Sequence, residues 1–343
     1  MRLNRRHFVA SSAASLWTAA CTRQQTMHAP PTFADPGRLS QGARALNVRA
    51  RPGLMNMGVM DLDQERVWYA DDLGHYPLAS LANLLTATCA LSQIDGQKMR
   101  LNERLRIDRD GLSPPPSRVN EQFARDGGPL DLPLADLIGL AIQHDDNTAA
   151  DAVLKRVGGP TAVTAWLGEK GFKGLRLDSY ARQRIPEMFG LGDFRAEWAD
   201  ERGFAHALEG IEPAMREEAM DRYLADSRDT ATVPGMIDFL GGLATGKLLS
   251  GDSTRFLLAL MADRPDAARG LAQGLPAGST LSSAGSSSHT SLGLTPVDNR
   301  AAIATLPGGR RLAMAVFLVG SAATEAERAR LMADAGRLLA TAG

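Results

Sequence analysis

The sequence predicts an α+β fold, with one antiparallel sheet drawn from both ends of the chain and a mainly helical middle. Two strand-like runs, Leu54 to Leu62 and Val67 to Ala70, flank the polar turn Asp63-Gln64-Glu65-Arg66 and read as a hairpin. Three further runs, Ser279 to Ser283, Arg300 to Leu306 and Leu312 to Val319, alternate with turns such as Pro307-Gly308-Gly309-Arg310. Between them, residues 97–245 repeat at helical spacing. This order divides the chain into a sheet-bearing half (36–79 and 246–343) and an all-α half (80–245), with a cleft between them.

The N-terminus reads as a separate device. Arg5-Arg6 followed by Phe8 and an apolar, small-residue run to Ala20 has the layout of an export signal of the twin-arginine kind. It ends at Thr18-Ala19-Ala20-Cys21, similar to a lipoprotein cleavage box. A periplasmic location is therefore expected, and whether Cys21 anchors the chain to a membrane through a lipid stays open. Residues 21–35, with Pro30-Pro31, read as a tether.

The folded elements follow in order. Leu39 to Val48 suits a short helix ahead of the hairpin. Leu84 to Leu91 is almost wholly apolar, which predicts a central helix buried on most sides and closed by Gly96. Leu134, Leu137, Ile138, Ala141 and Ile142 mark a helix with Pro133 in its first turn. Ala149 to Val157 marks another, ended by Gly158-Gly159-Pro160, and Val163, Trp166 and Leu167 a third. Residues 178–226 form a long polar connection in which Pro213 to Ala225 looks helical. Arg228-Asp229-Thr230 is expected to open a helix through Met236 and Leu240. Thr324 with Glu327 forms a capping box for the last helix.

Composition narrows the function. With 343 residues, 44% hydrophobic and 22% charged, the chain can bury a substantial core. A formal net charge of −1 gives no sign of nucleic-acid binding. No stretch is long enough to span a bilayer, and no spacing of His, Cys or carboxylates suggests a metal. No cofactor is called for, and a monomer is expected. Cys21 and Cys89 are the only cysteines, and Cys89 falls inside the buried helix, so an intramolecular disulfide is not expected.

The candidate chemistry centres on Ser80, in the run His75-Tyr76-Pro77-Leu78-Ala79-Ser80-Leu81-Ala82-Asn83 at the head of the central helix. Such a serine is either an N-cap or a nucleophile displayed by a buried helix. Asp145-Asp146-Asn147 can be a catalytic motif or a helix cap, and Ser282 to Ser288 a strand-edge site or a flexible serine-rich loop. His144 and His289 are alternative bases, and Arg300 suits either an ion pair or a ligand carboxylate.

In order and spacing the chain resembles the class A serine β-lactamases and their penicillin-binding relatives, over residues 36 to 340. The resemblance is carried by the Asp61-Leu62-Asp63 hairpin end, the Pro77-to-Ser80 approach and Asp145-Asp146-Asn147-Thr148-Ala149-Ala150. It continues through Gly158-Gly159-Pro160, Arg228-Asp229-Thr230-Ala231-Thr232, Gly274 to Gly278 and Leu281 to Ser286. It implies a five-stranded antiparallel sheet flanked by helices, an all-helical companion domain, and a serine hydrolase.

The motif residues depart from that pattern. Ser80 matches, but the lysine of Ser-x-x-Lys is Asn83, and the serine of Ser-Asp-Asn is Asp145. The Lys-Thr-Gly triplet is Ser283-Ala284-Gly285, and the loop glutamate falls near Ala181, with Glu187 the nearest candidate replacement. Asn83 cannot take a proton from Ser80, whereas an Asp145 carboxylate within reach can. The resemblance further implies Asn147 and Arg300 as substrate contacts, and the backbone N–H groups of Ser80 and Ser286, beside Gly285, as an oxyanion hole. Two expectations follow: a divergent hydrolase of β-lactams or cell-wall peptides, or a non-catalytic binder of an envelope peptide or protein. In both, the cleft holds a small molecule or peptide.

Overall fold

The computed structural model describes residue 33 and residues 35–341. The export signal, the Cys21 box and nearly all of the tether lie outside the described residues.

The chain opens with α1 (Pro36–Arg49), then strands β1 (Leu54–Asp61), β2 (Arg66–Tyr69) and β3 (His75–Pro77). Next come α2 (Leu81–Asp95), β4 (Arg104–Ile107), α3 (Arg118–Asp126), β5 (Leu130–Pro133), α4 (Leu134–Gln143), α5 (Asn147–Arg156) and α6 (Pro160–Glu169). The long connection carries α7 (Ala181–Met188), α8 (Glu201–Glu209) and α9 (Pro213–Ala225). The rest is β6 (Thr230–Thr232), α10 (Val233–Ala244), α11 (Gly251–Ala262), α12 (Leu271–Gly274), β7 (Thr280–Ala284), β8 (Thr295–Thr305), β9 (Arg311–Ser321) and α13 (Glu325–Ala340).

The sheet is five-stranded in the order β2-β1-β9-β8-β7, antiparallel throughout. Both faces of β9 are covered, and its alternating side chains show how. Leu312, Met314, Val316 and Leu318 pack with Leu39, Leu46 and Leu331 of α1 and α13. Ala313, Ala315 and Phe317 turn the other way, into a core shared with α2 and α10. At the hub of that core lies α2, with every residue from Leu81 to Leu91 buried. A helix apolar on all sides can only sit where other elements surround it.

The middle of the chain is less purely helical than its spacing predicts. Strands β4 and β5 form a small hairpin, and β3 pairs with β6. Thr230–Thr232 is thus a strand rather than the opening of a helix, and α10 begins only at Val233. Moreover, α10 packs on β1 and β9, so a segment assigned by sequence to the all-α half lies against the sheet.

Candidate active site

Ser80 stands at the N-cap position of α2, yet its side chain caps nothing. The preceding residue explains the aim. Ala79 lies in the left-handed region at φ 47°, a conformation costing an alanine about 1 kcal/mol. Asp145 and Asp229 share that region, both at φ 50°. Of these, Ala79 and Asp145 line one hollow, and strained backbone of this kind is common at functional clefts. Ser80 opens into a cavity of about 260 Å³, where its Oγ lies 2.9 Å from Ser286 Oγ.

The strand side of this cavity is firmly set. Gly285 has φ 99°, and a Cβ there would come within 2.3 Å of the Asn299 carbonyl. The serines beyond it are not a loose loop. Ser286 accepts from the Asn299 N–H at 3.3 Å, Ser287 bridges Asp298, and the Ser288 N–H donates to Val297 at 2.7 Å. Among the described residues, the backbone N–H groups of Ser80 and Ser286 donate to no other group. They are available to a ligand oxygen.

The residues at proton-handling positions are engaged elsewhere. Asn83 is buried and donates its Nδ2–H to the Ala141 carbonyl at 3.2 Å. Asp145 lines the cavity, but Arg264 donates to its Oδ2 from Nη2 at 2.7 Å and to its Oδ1 from Nη1 at 3.3 Å. Arg264 also reaches the Ile142 carbonyl, the Gly285 carbonyl at 3.2 Å and Asp266 at 3.0 Å. Burial opposes the charge on Arg264, but Asp145 and Asp266 outweigh it and raise its pKa above the ordinary guanidinium value.

Asp146 is a cap. It accepts from the Ala149 N–H at 2.8 Å, Ser117 Oγ at 2.8 Å and the Val119 N–H at 3.0 Å, binding α3 to α5. Asn147 lines the cavity and donates its Nδ2–H to the Pro114 carbonyl at 3.0 Å.

The remaining candidates lie away from the cavity. Ser283 is buried opposite Ala302. Arg300 donates to Asp298 Oδ1 at 3.0 Å and to the Asn299 carbonyl at 2.8 Å, which is the ion-pair reading. Ala181 gives its N–H to Asp151 Oδ1 at 2.7 Å, and Glu187 pairs with Arg228 at 2.6 Å. His144 lines a neighbouring hollow, where burial, Arg118 and Arg264 lower its pKa.

The expectations drawn from the sequence do not include the cover over the cavity. Met188, Phe189, Phe204, Leu208 and Met220 form a small core of their own, with Leu294 from the β7–β8 connection packed against it. His289, from the same connection, meets the rings of Phe189 and Phe204 edge to face, at 5.8 and 6.5 Å between centroids. Arg216 of α9 donates to Ser291 Oγ at 3.3 Å. The cover is therefore fastened across the cleft mouth to the sheet side.

Arg184 and Glu201 join the lining from this cover. The Arg184 side chain is only 7% exposed, lies 3.9 Å from Asp229, and leaves its Nε without a partner among the described residues. Helical spacing within α7 brings Arg184 and Met188 to one face. That i, i+4 pairing is the signal by which the sequence points to this wall.

A serine displayed by a buried helix, facing a strand edge, with one open N–H group on each, defines a cleft of the serine β-lactamase class. The chain belongs to the β-lactamase enzyme family, whose family model matches residues 38–342. Its fold is similar to that of a β-lactamase from Chitinophaga pinensis DSM 2588, with TM-score 0.70 and 24% identity over 88% of this chain and 98% of that one. An ancestral (GNCA) class A β-lactamase is similar at TM-score 0.68 and 26% identity, over 88% of this chain and 98% of that one.

Proposed function

We propose that this member of the β-lactamase family keeps its cleft as a binding site for a small ligand and does not hydrolyse β-lactams efficiently. One observation carries the reading: the one hydrogen-bond partner of the Ser80 hydroxyl among the described residues is another hydroxyl, that of Ser286, while Asn83 and Asp145 are held by Ala141 and Arg264. A serine needs a neighbouring base to become a nucleophile. The Asp145 carboxylate is paired with Arg264 through both oxygens and makes no hydrogen bond to Ser80, which argues against its taking that proton. The covered cavity of about 260 Å³ favours a small molecule over a long peptide.

The test is intact-protein mass spectrometry after incubation with a penicillin, with Ser80→Ala alongside and a chromogenic lactam for turnover. The expected result is neither a Ser80-dependent adduct nor turnover. An adduct lost in Ser80→Ala would overturn the reading. Glu201→Gln and His289→Ala would then identify the base, since both residues line the cavity.

We further propose export to the periplasm, supported by the Arg5-Arg6 pair and the apolar run to Ala20. Replacing both arginines by lysine should hold the chain in the cytoplasmic fraction, and unchanged fractionation would sink this assignment.

A further inference from the structure

A second concavity, of about 640 Å³, lies where β4, the last turn of α5 and the start of α7 meet. Its wall carries Arg104, Arg106, Lys155, Arg156 and Arg182, against the carboxylates of Asp110 and Asp151. In a chain of net charge −1 this is a local concentration of one sign.

Two of the cations are neutralised at once: Arg106 pairs with Asp108 at 3.0 Å and Arg156 with Glu103 at 2.6 Å. The other three are not. Arg104 donates to the Asp131 carbonyl and Arg182 to the Asp110 carbonyl, and a carbonyl acceptor leaves the charge uncompensated. Lys155 is exposed and forms no ion pair among the described residues. Asp151 is already engaged by Ser113 Oγ at 2.7 Å and by the N–H groups of Ala181 and Arg182. Three cations that form no ion pair among the described residues, from three separate elements, therefore surround one hollow and outnumber the two carboxylates of its wall, with Leu105 and Ile107 also in its lining and Arg182 stacked on Phe194 at 5.6 Å.

We propose that this hollow is an anion site for a phosphate-bearing ligand, contacted by Arg104, Lys155 and Arg182. A carboxylate offers two oxygens, too few to meet donors from three separate elements at once. A phosphate group offers at least three oxygens and up to two charges, and suits both the arginine fork and a lysine point charge. The phosphate belongs either to a soluble phosphorylated molecule or to an anionic lipid headgroup.

Calorimetric titration of the full chain with inorganic pyrophosphate at fixed ionic strength tests the proposal, with sulfate as the comparison. Saturable binding is expected for pyrophosphate. Lys155→Gln, an exposed change that leaves the fold alone, should weaken it about tenfold, and Lys155→Gln with Arg182→Gln further. Arg222→Gln, on α9, should change nothing. No saturable binding, equal binding of sulfate, or variants that bind as well as the parent would overturn the site. Cosedimentation with phosphatidylglycerol vesicles separates the sources: loss in the double variant identifies a headgroup, and pyrophosphate binding without sedimentation a soluble ligand. Ser80→Ala should bind pyrophosphate normally, so this site and the reading of the cleft fail independently.

Discussion

The frame and the cover of the cleft are built on different physics. The frame, made of α2, the α4–α5 turn and the end of β7, is held by buried polar bonds with few alternatives: Asp146 to three donors, Arg264 to Asp145 and two carbonyls. The cover, α7 to α9, is held by a small apolar core and a ring contact with His289. Directional bonds fix a geometry, whereas apolar packing on a long connection permits local opening without loss of the whole fold. The cleft thus has a rigid floor under a separable lid.

The largest expected effect is on the frame. Arg264→Met would leave Asp145 without its counter-charge in a largely buried position, and should cost about 3–5 kcal/mol in urea unfolding. Asp145→Ser alone, the simplest step back toward the family motif, should also destabilise, because it leaves the buried Arg264 with Asp266 as its one counter-charge. Combining the two should recover most of the loss. If the double variant is no better than the single ones, the pair is not what holds the frame.

Asp146→Ala comes next. It removes the acceptor for Ser117 Oγ, the Val119 N–H and the Ala149 N–H, and should cost about 3 kcal/mol. A loss under about 1 kcal/mol would mean that water replaces the carboxylate and that the frame tolerates rewiring.

Phe189→Ala should behave differently. Truncating a buried phenylalanine costs about 3–5 kcal/mol where it packs. On the cover, that cost should appear as local opening: faster hydrogen exchange across α7 to α9, with the global midpoint moved by no more than about 1 kcal/mol. A full global loss would show that frame and cover unfold as one unit.

Legibility in the sequence follows the same division. The hairpin, β7 to β9 and α13 announce themselves because period-2 and capping-box patterns are local. Asp146 as a cap and Arg300 in an ion pair are both readings that the sequence allows, since each depends mostly on near neighbours. The cover was missed because Met188, Phe189, Phe204 and Met220 are scattered among charged residues, and their contacts form only once three helices fold back together. Arg264 was missed for a related reason. In Asp263-Arg264-Pro265-Asp266 it reads as part of a solvated turn, yet its side chain is 3% exposed. The long-range contact with Asp145 decides its role, and no local pattern encodes that contact.

The smallest effect tests whether the frame is electrostatic in kind. Burial pushes the Asp266 carboxyl up, but Arg264 and Arg300 outweigh burial, and its pKa lies below the ordinary value of 3.8. A depressed carboxyl pKa contributes stability that is present above the unfolded value, near pH 4, and is lost as pH falls through the folded one. Asp146 and Asp151 act in the opposite sense: burial raises both, so their contribution is present at low pH and lost as pH rises. The bare stability profile mixes these trends, and only a difference between variants isolates one of them. Asp266→Asn should cost about 1 kcal/mol at pH 7, after screening at this partly exposed position. The gap to the parent should close as pH falls below about 4, where Asp266 in the parent is also neutralised. A gap that persists unchanged at low pH would assign Asp266 to packing or hydrogen bonding rather than charge, and Arg264, Arg300 and Asp266 would then not act as one electrostatic unit.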